Sequence, residues 1–271
     1  MNGAGNDFII INNAEEHLSP EALPRVARTL CRRRLSIGAD GLMAVDRSDR
    51  ADCRMLFFNA DGSAGEMCGN GGRCLCRYIY ENGMAGEEQV IETAAGIVRG
   101  RRIDRRQYRL RLNDPSVIER RELELYGIVR TCVYVELGDP GVPHAVVPIQ
   151  NLRDRDPGAL FALGRDLRHH PAFPKGANVN FYEIVGPDHI YLRTWERGVE
   201  DFTYACGTGT GSVAAALTLS GAVSGRHVKA DMPGGQLIVD VERDGAVISD
   251  IFLTGPTNIV AKGKVTDEEL F

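Results

Sequence analysis

Lysine is the scarcest charged residue in this chain, four in 271 positions against 28 arginines, and none of the four precedes Ser or Thr. The glycine-rich stretches therefore lack the Lys-Ser or Lys-Thr pair of a P-loop. Aromatic side chains make up only 7% of the chain and form no stripe with basic residues, which removes the stacking platform of a nucleic-acid binder. A formal net charge of -5 exerts no general pull toward nucleic acid or an anionic membrane. No apolar run approaches the roughly 18 residues of a membrane span. Residues 8–11 are too short for a secretion-signal core and no basic run precedes them. For a strand with so brief a lead-in, the expectation is either a start lying downstream of the true one or a trimmed chain. The seven cysteines are an odd number without small-domain spacing, and with no export signal they read as free thiols in a reducing cytoplasm. Cys68, Cys74 and Cys76 include no Cys-x2-Cys pair and have no histidine nearby, so no metal site is expected. Gly207, Gly209 and Gly211 are followed by no acidic strand end at the spacing of a dinucleotide fingerprint. The expectation is an enzyme or binding protein with no metal, no organic cofactor, no nucleic-acid partner and no membrane.

What is present is two stretches that resemble each other. Glu66-Met67-Cys68-Gly69-Asn70-Gly71-Gly72-Arg73 and Tyr204-Ala205-Cys206-Gly207-Thr208-Gly209-Thr210-Gly211-Ser212 each set a cysteine before a glycine-rich turn that runs into a helix-like segment. Backbone N–H groups at such a start hold an anion and lower the pKa of a nearby thiol. Two such thiols serving one carboxylate-bearing substrate make an acid and a base, each with its own cradle. Proton removal beside a carboxylate drives charge onto its oxygens, and donors from Gly69, Asn70, Gly207 and Thr208 would meet that charge. The plainer reading is two buried cysteines beside ordinary turns, and the repetition tips the balance against it. Cys31, Cys53 and Cys132 sit in apolar contexts and read as core.

Along the chain, Ser19-Pro20-Glu21 predicts a helix start, and Leu23, Val26, Ala27 and Leu30 the stripe of a helix ending near Leu35. Strands are expected at 42–45 and 53–58, a helix from Asn70 to Gly83, and strands at 90–93, 97–102 and 108–112. Further on come strands at 123–126 and 131–137, a loop over 138–144, a strand at 145–148 and a helix at 159–166. Strands at 190–194, 228–231, 237–241 and 247–252 flank an apolar helix at 213–219. Cys68 and Cys206 stand 138 residues apart, and Gly96 and Gly235 stand 139 apart. So constant an offset predicts an internal duplication. The expected fold is α+β: two pseudo-symmetric domains, residues 1–114 plus 256–271 and 115–255, each a mainly antiparallel sheet rolled around a central helix.

Gly5-Asn6-Asp7-Phe8, Phe58-Asn59-Ala60-Asp61-Gly62-Ser63, Met67-Cys68-Gly69-Asn70-Gly71, Trp195-Glu196-Arg197-Gly198 and Ala205-Cys206-Gly207-Thr208-Gly209 together resemble the pattern of the diaminopimelate epimerases over nearly the whole chain. The resemblance implies a cofactor-independent amino-acid epimerase or racemase of two pseudo-symmetric domains, one catalytic cysteine in each, serving lysine biosynthesis. It implies Cys68 and Cys206 as the two bases, Gly69, Asn70, Gly207 and Thr208 as carboxylate donors, and Asn6 in the same site. Asn59, Glu196, Arg197 and either Asn178 or Asn180 match the region recognising the distal end of diaminopimelate, and the Ala-Asn-aliphatic register favours Asn178. The expected partner is a small amino acid, LL-diaminopimelate first, with room for a homodimer. A racemase of another amino acid, histidine for example, and a non-catalytic amino-acid-binding protein are the alternatives. Three departures from the pattern fall on the distal pocket: Asp139 and extra residues before Pro143-His144, Gly41 after Asp40, and a longer 199–204 linker.

Overall fold

The computed structural model describes residues 1–65, 67–156 and 158–270. Glu66, the first residue of the first cysteine stretch, lies outside the described residues. The chain divides into two compact units, Met1–Leu110 with Gly255–Phe271, and Arg111–Thr254.

The first unit runs β1 (Asn2–Gly3), β2 (Asn6–Asn12), α1 (Asn13–Glu16), α2 (Leu23–Leu30), β3 (Gly41–Asp46), β4 (Cys53–Asn59), β5 (Ala64–Gly65), α3 (Gly69–Glu81), β6 (Glu88–Thr93), β7 (Gly96–Arg102) and β8 (Gln107–Arg111). Its strands pair mostly antiparallel, with two parallel pairings, β2–β3 and β4–β6. β3 shows why its sequence is apolar at every position from Leu42 to Val45. Side chains alternate across a strand, and both faces of β3 are covered. Leu42 and Ala44 pack with Leu23, Val26, Ala27 and Leu30 of α2, whereas Met43 and Val45 pack with Leu75 and Ile79 of α3. The α2 stripe is as the spacing predicts, but the helix is shorter. The Ser19 carbonyl accepts from Ala22 and Leu23 in a preceding turn, and the helix stops at Leu30.

The second unit runs β9 (Pro115–Leu125), β10 (Ile128–Gly138), β11 (Gly141–Pro148), α4 (Gly158–Arg168), β12 (Asn178–Gly186), β13 (His189–Glu196), β14 (Asp201–Thr203), α5 (Gly207–Ser220), β15 (Val228–Met232), β16 (Gly235–Asp244) and β17 (Val247–Pro256). It repeats the connectivity of the first. β11–β12 and β13–β15 are parallel where β2–β3 and β4–β6 are, and the β13–β14 hairpin stands where β4–β5 does. Val179 and Phe181 of β12 pack with Leu160 and Leu167 of α4. α5 is buried along almost its whole length, as its charge-free, Ala-rich sequence, apolar from Val213 to Leu217, requires. The fold is the α+β duplication read from the offset.

One expectation is corrected. Residues 138–144 do not form a loop. Gly138 pairs with Gly141 across a tight turn, and β11 already begins at Gly141. His144 is therefore a strand residue, and it is fully buried.

Candidate active site

Each cysteine ends an extended segment and caps the helix that follows. Cys68 has φ −128° and ψ 120° at the start of α3, and Cys206 has φ −119° and ψ 111° at the start of α5. Their carbonyls accept the first intrahelical bonds, from Gly72 N at 2.7 Å and from Thr210 N at 2.9 Å. Two helix N-termini thus follow directly on two cysteines.

The helix starts are seated on matching strands by matching glycines. A Cβ at Gly71 would lie 2.2 Å from Met43 Cε of β3, and one at Gly209 would lie 2.1 Å from Asn180 Oδ1 of β12. Glycine lets the helices come this close without displacing the side chains that face them.

Around Cys206 the geometry is explicit. Gly209 N donates to its sulfur at 3.4 Å and Thr208 Oγ1 lies 3.6 Å from it. Glu196 accepts from Thr203 Oγ1 at 2.7 Å and raises the thiol's cost of ionising. Burial, and then the Glu196 charge, push the Cys206 thiol well above the ordinary range, against the pull of Thr208 and Gly209. The sequence expectation of a lowered pKa at this helix start fails here, because burial and a nearby carboxylate outweigh the N–H donors. Cys206 rests as a thiol.

Near Cys68 a chain of side-chain hydrogen bonds runs in one direction. Arg73 donates to Asn70 Oδ1 at 2.8 Å, Asn70 Nδ2 to Asn6 Oδ1 at 2.7 Å, and Asn6 Nδ2 to Asp40 Oδ2 at 3.0 Å. The structure thus brings Asn6 and Asn70 together in the first unit. Asn59 donates to Ser63 Oγ at 3.0 Å within the β4–β5 turn. In the second unit, Asn178 Oδ1 accepts from Arg197 N at 2.8 Å and its Nδ2 donates to Pro143 O at 3.3 Å. The Arg197 guanidinium donates to Lys175 O. Asn180, the alternative to Asn178, is buried: its Oδ1 accepts from Thr194 and its Nδ2 lies 3.2 Å from His144 Nδ1. Among the described residues no cluster of three or more His, Cys, Asp or Glu side chains has the geometry to hold a metal ion. No helix is long and apolar enough to cross a membrane, again among the described residues.

Comparison with known proteins bears directly on this arrangement. The sequence profile of the diaminopimelate epimerase family matches residues 1–107 and 138–260. The diaminopimelate epimerase of Aquifex aeolicus is 36% identical over 281 residues, covering all of this chain and 98% of that protein. The chain belongs to the diaminopimelate epimerase family. It is an isomerase, an amino-acid epimerase. At the level of fold alone, a Bacillus anthracis phenazine biosynthesis protein of the PhzF family superposes with a TM-score of 0.71 at 17% identity, over 94% of this chain and 92% of that one. A probable proline racemase from Agrobacterium radiobacter K84 gives 0.61 at 21% identity, over 86% and 78%.

Within this family framework, two departures noted in the sequence have simple structural forms. The 138–144 segment is the β10–β11 hairpin, and the long 199–204 linker is the β13–β14 hairpin, with Glu196 opposite Asp201. Three further polar residues stand in these surroundings; sequence reasoning gave Asp40 and Arg73 no part in the site and read His144 either as orienting it or as a surface or packing residue. Asp40 terminates the Asn6 chain and is tied to Arg33. His144 is held neutral, its pKa pushed down to about 3 by burial and by the Arg197 charge. Arg73 is fully buried. The available signal was a charged or polar residue inside an apolar stripe, as Arg73 is between Gly72 and Cys74.

Proposed function

We propose that this epimerase inverts an amino-acid α-carbon by proton transfer between Cys68 and Cys206 without an organic cofactor, and that its reaction is LL-diaminopimelate to meso-diaminopimelate. The observation that carries the reading is the duplicated constellation: a cysteine at the N-cap position of a helix, on each of two units of the same connectivity. Inversion needs a group that removes the proton from one face and another that delivers a proton to the opposite face. A Cys206 thiol supplies the acid in one direction, with Cys68 as the thiolate base, and the roles exchange in the other. The charge that develops on the carboxylate meets backbone donors of Gly69, Asn70, Gly207 and Thr208, each such donor being worth about 3 kcal/mol in comparable sites. Asn6 supports the first cradle. Asn59, Asn178, Glu196 and Arg197 are proposed to set the distal recognition, Asn178 by fixing the Arg197 backbone. The cytoplasm is the proposed compartment.

The test uses both diaminopimelate isomers and a panel of other amino acids, histidine included, in D₂O with chiral analysis and NMR. Inversion is expected with diaminopimelate alone. Cys68→Ser and Cys206→Ser should each lose inversion by about 10² or more, since a hydroxyl is a poor acid–base partner. Residual α-proton exchange should favour opposite enantiomers in the two variants. A folded variant that inverts at the wild-type rate removes that cysteine from the mechanism, and faster inversion of another amino acid replaces the substrate.

A further inference from the structure

We propose that Arg73 is a positioning residue for the reaction: its buried guanidinium fixes the Asn70 side chain beside Cys68 and supplies the positive charge that keeps Cys68 a thiolate. The proposal rests on the reading of Cys68 as a catalytic base.

Arg73 is among the largest side chains with essentially no exposed surface. A buried guanidinium is costly unless it is paired with an anion. Its two described hydrogen bonds go to neutral oxygens, Asn70 Oδ1 at 2.8 Å and Gly69 O at 3.3 Å, and its Nε has no partner among the described residues. It also lies just inside the N-terminal end of α3, where the helix dipole disfavours a cation. Neither helix stability nor core packing accounts for an arginine here. Burial lowers its pKa to about 10, and the groups that offset that burial when ionised are thiols: Cys74, Cys68 and Cys76.

The thiols differ in what they can do. Cys74 and Cys76 are fully buried; burial raises Cys74 to about 12 and carries Cys76 higher still, so both stay protonated at neutral pH. Cys53, on β4, couples to Cys76 and is likewise pushed up to about 12 by burial. Cys68 keeps some exposed surface and caps the helix. Of the thiols around Arg73 it is the one placed to carry the balancing negative charge. Among the described residues, the other charged groups nearby are engaged elsewhere. The Met1 ammonium donates to Phe8 O, Arg77 is paired with Glu81, and Asp40 is reached only through Asn6 and Asn70.

The geometry also gives Arg73 an orienting task. An amide side chain can be turned either way round. The Arg73 N–H fixes Asn70 Oδ1 as the acceptor, which turns Asn70 Nδ2 to Asn6, and Asp40 fixes the far end of the chain. A guanidinium reaches two acceptors with a planar fork, whereas an ammonium offers the charge without the fork.

The experiment follows alkylation of Cys68 by iodoacetamide against pH in the full chain, with the Cys68 peptide quantified by mass spectrometry. In the wild type, Cys68 should react at pH 7 about tenfold faster than a cysteine of ordinary pKa, near 8.5. Arg73→Gln should abolish that advantage. Arg73→Lys should keep most of it while raising KM for inversion more than it lowers kcat, because the charge stays and the Asn70 orientation is released. An ordinary or slower wild-type Cys68 overturns the proposal whether or not Arg73→Gln folds. A folded Arg73→Gln with the wild-type alkylation profile, or an Arg73→Lys with unchanged KM and kcat, overturns it as well. These readouts are separate from the test of the parent reading. Cys68→Ser that still inverts substrate defeats the base assignment, whereas loss of inversion in Cys68→Ser with an ordinary alkylation profile defeats only Arg73.

Discussion

Cys206 and its neighbours show how a residue's chemistry is set by partners the sequence does not display. The cysteine and the glycines after it are local signals, and local turn chemistry is what a sequence reveals well. Glu196 is ten positions away along the chain, and it reaches the thiol because β13 ends where α5 begins. The raised thiol pKa was therefore invisible beforehand, as were the Asp40 end of the Asn6 chain and the buried state of His144. The residue-scale prediction follows from the sign of the Glu196 effect. A carboxylate beside a thiol opposes the thiolate, so Glu196→Gln should lower the pH at which Cys206 is alkylated. Thr208→Val removes a group that favours the thiolate and should move that pH upward. Alkylation profiles of the Cys206 peptide decide both, and a shift of opposite sign in either variant refutes this account of Cys206.

At the level of elements, the seats of α3 and α5 are the same contact built with different chemistry. Met43 Cε is the end of a flexible chain and can yield to a new methyl group; Asn180 Oδ1 is held by Thr194 and cannot. Gly209→Ala should therefore cost about 1–3 kcal/mol, and Gly71→Ala clearly less. Read by thermal unfolding, that is a fall of roughly 2–4 °C per kcal/mol. Equal losses in the two variants would show that the seats are not limited by what faces the glycine. The elements themselves were largely legible. Both cysteine-led helices, the β3 run and the α2 stripe follow from periodicity. The long β9–β10 hairpin was underread, because residues 116–124 are mostly charged or exposed on both faces and offer no apolar alternation. Its turn also places Tyr126 at φ 56° beside Gly127, a conformation that a tyrosine does not advertise.

For the whole molecule, the buried thiols give stability a pH limit. Burial raises Cys31 and Cys132 to about 11, Cys53 and Cys74 to about 12, and Cys76 further. In the unfolded chain the same thiols ionise near about 8.5. Above that pH the unfolded state has released protons that the folded state keeps, so stability is full below about 8.5 and falls as pH rises toward the folded values. Each thiol contributes a slope of about 1.4 kcal/mol per pH unit in that window. Urea unfolding between pH 8 and 10 should show the decline, and Cys132→Ala should flatten it by one thiol's share. An unchanged slope in that variant would place the alkaline sensitivity elsewhere. The duplication was legible from two cysteines 138 residues apart and two glycines 139 apart. A further consequence lies in the order in which the units are made. The second unit is continuous in sequence and is complete once Thr254 has been added. The first is interrupted: its β1 pairs with Asn258, Arg77 and Arg106 close on the Thr257 carbonyl, and Val265 and Leu270 pack beside α2. In synthesis the earlier-made unit is thus the later one to be complete: it stays open until the segment after Thr254 that closes it has been added.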